Sequence, residues 1–236
     1  MGTHLLMLII LLMKIAHNNN MEIEYKITEV KPNIFAVIIP NGFDRAMTFC
    51  RVQEFYESPN PQFRGKHFSM WDYMKWYSKE YDRGFSYPND WSGFNIPFEV
   101  MDKCFRNMKE FETPYDAVMY KIYWHIRTMK ANGRAYVIGA ADTKGDTFKH
   151  EVCHGLYYTD KTYNQLVNEI TDTISVEHKL NFRNNLIRMG YTDGVVDDEI
   201  QAYLTFGHNY KNFSDKVPDE LCKQWNKQYK KVFQTF

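Results

Sequence analysis

Hydrophobic and polar positions along this chain repeat with two different periods, and the switches between them mark its elements. Over 22–30 (EIEYKITEV), Ile23, Tyr25 and Ile27 fall on one face and Glu22, Glu24, Lys26 and Thr28 on the other. That is the period of two expected of a half-buried strand. Lys31-Pro32-Asn33 predicts a turn, and the continuous apolar run 34–39 (IFAVII) predicts a strand buried on both faces. Residues 44–57 show weak helical spacing through Met47, Cys50 and Phe55 and stop at Ser58-Pro59-Asn60-Pro61. A partial capping signal, Ser69 with Asp72, opens a helix over about 70–82 with Trp71, Met74, Tyr77 and Tyr81 at helical spacing. Residues 83–97 read as a long aromatic loop, and Pro97 suits the first position of a helix running to about 110. A further helix over 114–130 closes at Ala131-Asn132-Gly133, and 135–140 is a short apolar strand. After the polar loop 141–146, helices are predicted at 147–159, 162–173, 176–189, 197–206 and 218–233. The pattern predicts an α+β fold, mainly helical, with a small sheet built from 134–140 and the hairpin 22–39. No repeat and no linker divides the chain, so one domain is expected over 21–236.

Composition narrows the function classes. Aromatic residues make up 17%, with 12 Gly and 8 Pro, which excludes collagen-like and largely disordered chains. Lys+Arg and Asp+Glu are both 29, so no basic excess argues for a nucleic-acid partner. Cys50, Cys104, Cys153 and Cys222 are far apart, with no CxxC pair. They read as free thiols of a reducing compartment, which favours the cytoplasm.

The first twenty residues carry their own signal. The apolar run 5–13 (LLMLIILLM) is shorter than the roughly 20 residues a membrane-spanning helix needs, and it lacks a basic segment before it. Residues 1–20 are read as a flexible extension ahead of a true start at Met21, as a signal peptide of a secreted protein, or as a membrane anchor. They are set apart from the fold.

The chemistry concentrates at His150-Glu151-Val152-Cys153-His154, an HExxH motif. On a helix, residues four apart differ by about 40° in projection, so both imidazoles face one side and can present two nitrogens to one zinc ion. Glu151 is turned about 60° from His154, placed to act on a water without binding the metal. Val152 faces the other way, toward a core. Gly155 leaves room beside the second histidine, and Gly145-Asp146-Thr147 supplies a helix start. The bland alternative is a helix that happens to carry two histidines four apart.

These residues resemble the zincin metallopeptidases, over roughly 134–206. The resemblance implies an edge strand, here 135–140, ahead of the HExxH helix, and a downstream residue that completes the metal site. The metzincin extension HExxHxxGxxH is absent, because Tyr157 and Asp160 stand where it has Gly and His. The gluzincin pattern, with a glutamate third ligand on a later helix, fits better. Glu199, in Asp197-Asp198-Glu199-Ile200-Gln201-Ala202-Tyr203, is similar to the gluzincin ExxA element, where the small Ala lets the two helices pack closely; Tyr203 departs from the Asp or Asn common there. Glu169, in Asn168-Glu169-Ile170-Thr171-Asp172, is the alternative, on a helix returning from a tight turn at Asp160-Lys161.

The resemblance implies zinc-dependent hydrolysis of a peptide or protein substrate, with one Zn2+ per chain held by His150, His154 and Glu199. Glu151 would be the general base, and the strand near 135–140 would align substrate by strand addition. Candidate oxyanion donors are His208 and Tyr203, with Tyr210, Tyr157 and Tyr158 as further candidates. A zinc-bound interaction module without turnover is the alternative function, and the intact Glu151 weighs against it. Cys153 reads as a small buried hydrophobe and His125 as a core histidine.

Overall fold

The two apolar runs 34–39 and 135–140, distant in sequence, meet as neighbours in one sheet. The computed structural model describes residues 22–106, 108, 111–189, 191, 193–207, 214 and 216–236. Strands β1 (Lys26–Lys31), β2 (Ile34–Ile38), β3 (Phe94–Pro97) and β4 (Tyr136–Ala140) form a sheet of order β1-β2-β4-β3. β1 and β2 are the expected antiparallel hairpin; β2 and β4 run parallel, pairing Ile34 with Tyr136; β3 pairs antiparallel with β4. The architecture is α+β and mainly helical with a small sheet, as the pattern predicts.

The described chain forms two compact units, 22–142 and Thr143–Phe236, at a point where the sequence offers no linker. The first holds the sheet with helices α1 (Gly42–Glu57), α2 (Met70–Glu80), α3 (Tyr87–Asp90), α4 (Phe98–Arg106) and α5 (Pro114–Met129). Two sequence expectations need correction here. The segment 83–97 is not one loop, because it folds into α3 and β3. Phe94 of β3 stacks on Phe49 of α1 with ring centroids 5.2 Å apart, an anchoring contact that no local period announces. Strand 135–140 is not an edge strand either. With β2 on one side and β3 on the other, β4 is interior and has no open edge for a substrate strand. Its unbroken apolar run fits that position, since both faces are covered.

The weak periodicity of 44–57 also has a physical cause. Helix α1 is surrounded, so Arg45, Arg51 and Glu54 are buried beside Met47, Phe49 and Val52. Arg45 donates to the Ile39 carbonyl at 2.7 Å. Arg51 forks onto Asp116 at 2.7 and 3.1 Å and also reaches Glu112 at 3.0 Å and the Phe68 carbonyl at 2.6 Å. Burial works against the guanidinium charge, but Asp116 and Glu112 outweigh it and raise its pKa. Asp116 also completes the capping box of α5 with Thr113.

The second unit holds α6 (Gly145–Thr159), α7 (Lys161–Asp172), α8 (Val176–Arg188), a short 3-10 turn (Asp193–Val195), α9 (Val196–Phe206) and α10 (Asp219–Phe233). Helix α9 packs on α6, α7, α8 and α10, and every residue from Glu199 to Phe206 except Tyr203 is buried. Gly207 closes it. A Cβ there would lie 2.5 Å from the Tyr203 carbonyl oxygen, so glycine is needed for the turn. No helix of the described residues is long and apolar enough to cross a membrane. The run 5–13 lies outside the described residues.

Arg51→Ala leaves Asp116 buried without its guanidinium partner. It should destabilise the protein by about 3–5 kcal/mol, read from urea unfolding. A loss below about 1 kcal/mol would show that the fork on Asp116 does not hold α1 to α5.

Candidate metal centre

The site is built where α6 and α9 cross. Asp160 ends α6 and caps α7, accepting from the Thr162 and Tyr163 amides, so the chain turns sharply after the HExxH helix. Within α6, Val152 and Cys153 are buried, as is His154, while His150 and Glu151 are half-buried. Helix α9 brings three acids in its first turn, Asp197, Asp198 and Glu199, at the end whose dipole favours negative charge. Ala202, one turn beyond Glu199, is fully buried and shares an apolar cluster with Cys153 and Phe206. A small residue there lets the two helices approach closely, as the E-x-x-A spacing leads one to expect.

His150, His154 and Glu199 come together, with one potential ligand atom from each lying within 4.8 Å of the others. His150 Nε2 and His154 Nε2 are 3.1 Å apart. Glu199 Oε2 is 3.8 Å from the first, and Glu199 Oε1 is 3.7 Å from the second. Ligands about 2.0–2.1 Å from a tetrahedral ion stand about 3.3–3.4 Å from one another, and the three separations bracket that figure. Two imidazoles and a carboxylate are also a donor set that suits zinc. The residues therefore fit the ion.

One residue that the sequence reading passed over completes this arrangement. Asp198 Oδ1 lies 2.9 Å from His154 Nδ1. A carboxylate can only accept, so Nδ1 carries the proton and Nε2 is turned toward His150 and Glu199. Burial alone would lower the basicity of His154, whose side chain is 4% exposed, but Asp198 and Glu199 outweigh it, with a further contribution from Glu151, and raise its pKa to about 10. The Asp198 signal was present in the sequence as an acid beside Glu199, but only the approach of α6 to α9 gives it a role.

The remaining candidates divide clearly. Glu169 is exposed on α7, where it accepts from Gln165 at 2.9 Å, and is not part of the cluster. Tyr203 packs its ring edge-on against His150, with centroids 4.8 Å apart. Its hydroxyl lies 3.1 Å from that of Tyr191, which the sequence reading did not single out. Burial, opposed by the Tyr191 hydrogen bond and aided by Glu199 and Glu151, raises the Tyr203 pKa and keeps it a phenol. Tyr157 turns to Asn168 of α7 at 3.1 Å. His208 and Tyr210 lie outside the described residues. All four cysteines are free and buried. Burial, the largest effect on Cys153, pushes its thiol well up, as expected of a small buried hydrophobe. His125, expected in the core, is exposed on α5, because that helix turns Ile122, Tyr123 and Ile126 inward.

Compared with protein-family models, with curated proteins and with solved structures, the chain has no match.

Two outcomes follow from this geometry. Glu199→Ala should weaken zinc binding by at least tenfold in a chelator competition, while Glu169→Ala should leave it unchanged; the reverse ranking would contradict the cluster. Zinc must also displace the proton that the carboxylates hold on His154. Below its raised pKa of about 10, affinity should therefore grow about tenfold per pH unit, giving roughly a hundredfold gain from pH 6 to 8. In the metal-free protein the sign is opposite. The stability contributed by this protonation is complete below about pH 6.5 and disappears as pH rises through about 10. A pH-independent zinc affinity would contradict the electrostatic account.

Proposed function

We propose that the protein is a zinc-dependent hydrolase acting on peptide bonds, with His150, His154 and Glu199 as the metal ligands. The observation that carries this assignment is the convergence of those three side chains, from two helices, at separations suited to one tetrahedral ion. Zinc at such a site supplies a water whose pKa falls to about 7 and a Lewis acid for the carbonyl under attack.

The chain's own groups do the rest. Glu151 follows His150 directly on α6, and its charge acts on His154, Tyr191 and Tyr203, so its carboxylate shares their neighbourhood. It takes the proton of the attacking water and passes it to the departing amine. Tyr203, kept protonated and set against His150, donates its hydroxyl hydrogen bond to the oxyanion as the carbonyl becomes tetrahedral. Asp198 keeps the His154 ring from rotating or changing tautomer during the cycle. Substrate alignment by strand 135–140 forms no part of this proposal, because β4 is paired on both sides. A metal site of purely structural purpose has no use for an acid at position 151, which favours turnover over a binding module.

Glu151→Gln should reduce hydrolysis by about 10²–10⁴-fold while zinc content stays near one per chain. The assay begins with a mass-spectrometric screen of a mixed peptide library, with and without chelator. Chelator-sensitive cleavage that proceeds at full rate in Glu151→Gln would overturn the assignment of the base.

A further inference from the structure

Asp198, which orients His154, is itself held in place. Gln201 stands three residues further along α9, fully buried, and its Nε2 donates to Asp198 Oδ1 at 3.0 Å. Its Oε1 accepts from the Tyr163 hydroxyl of α7 at 2.9 Å. Tyr163 is fully buried as well. The Asp160 cap fixes the height of Tyr163 on α7, because it binds the Tyr163 amide at 2.9 Å.

The direction of every bond in this chain is forced from one end. The Asp198 carboxylate accepts only, so Gln201 must turn its NH2 toward it. The amide oxygen then faces Tyr163, whose hydroxyl must donate. The full burial of Gln201 and Tyr163 supports the arrangement, since a reversed amide would turn the Gln201 oxygen against the Asp198 carboxylate.

We infer that Tyr163 and Gln201 are positioning residues of the metal centre: acting through Asp198, they fix the His154 ring with Nδ1–H toward Asp198 and Nε2 toward His150 and Glu199. The hydrogen bonds thus tie α7 to the ligand set on α6 and α9. Neither residue touches the metal, and neither carries a charge. Their effect is on orientation, at a site where ligand geometry governs affinity. This inference rests on the zinc assignment above.

Zinc affinity of the full chain, measured by chelator competition, tests it in single and double variants. Tyr163→Phe removes one neutral hydrogen bond and should weaken zinc binding about fivefold. Gln201→Met should weaken it about tenfold or more. In an Asp198→Ala background, where the relay has no recipient, Tyr163→Phe should have no further effect on affinity while still lowering the thermal midpoint of the metal-free protein. Packing alone predicts the same loss of affinity in both backgrounds. That result, or an unchanged affinity in Tyr163→Phe, would overturn the relay. If the double variant fails to fold, Gln201→Met decides: wild-type affinity there overturns the relay too. Wild type that binds zinc and loses it in His154→Ala isolates such a failure to the relay; wild type that takes up no zinc overturns the metal assignment and the relay together.

Discussion

Two acids, side by side at the start of α9, are pressed against two histidines of α6, and the second unit is organised around that contact. Asp198 and Glu199 are neighbours in sequence, and the Glu199 and His154 side chains are only 10% and 4% exposed. Burying like charges together costs several kcal/mol unless a cation shares the space. A proton on His154 supplies one answer, because Asp198 and Glu199 outweigh burial and raise its basicity. A divalent ion supplies a stronger one. The close approach itself depends on a small side chain at Ala202 and on the sharp reversal at Asp160.

The same contact explains why the candidate centre rests on helices rather than loops. His150, His154, Asp198 and Glu199 all belong to regular helix, and α9 is packed by four other helices of its unit. Side chains on such elements are held more closely in position than those on loops. Around the candidate ligands the polar groups are matched donor to acceptor: Tyr163 to Gln201, Gln201 to Asp198, and His154 to Asp198. The Tyr203 ring packs edge-on against His150, and its hydroxyl meets that of Tyr191. The polar cluster of the first unit, where Arg51 joins Asp116 and Glu112, follows the same rule that a buried charge keeps its partner.

Much of this was legible from residue order, and the reasons are local. Helices α5, α7 and α8 open on capping side chains, Thr113, Asp160 and Ser175, and the HExxH spacing puts two imidazoles on one face before any fold is known. Glu199 could be preferred over Glu169 because its E-x-x-A spacing resembles an element in which the small Ala marks a close helix contact; Glu169 meets Gln165 on its own helix. What escaped notice depends on distant pairing. β3 is four residues whose partner lies some forty residues later, and β4 is interior only because β3 covers its second edge. Arg51 looks like a surface residue until Asp116 arrives to pair with it. Asp198, Gln201, Tyr163 and Tyr191 are unremarkable as letters, since hydrogen bonds between helices have no sequence period.

X-ray absorption at the zinc edge of the metal-loaded protein reads the donor set of the proposed centre. Ligation by His150, His154 and Glu199 should give a shell of nitrogen and oxygen at about 2.0–2.1 Å, with the multiple-scattering signature of two imidazoles and no sulfur. The buried Cys153 thiol lies between the two histidines in sequence, so a sulfur neighbour at about 2.3 Å is the informative alternative. Finding that sulfur, or a shell with no imidazole signature, would contradict a centre formed by His150, His154 and Glu199.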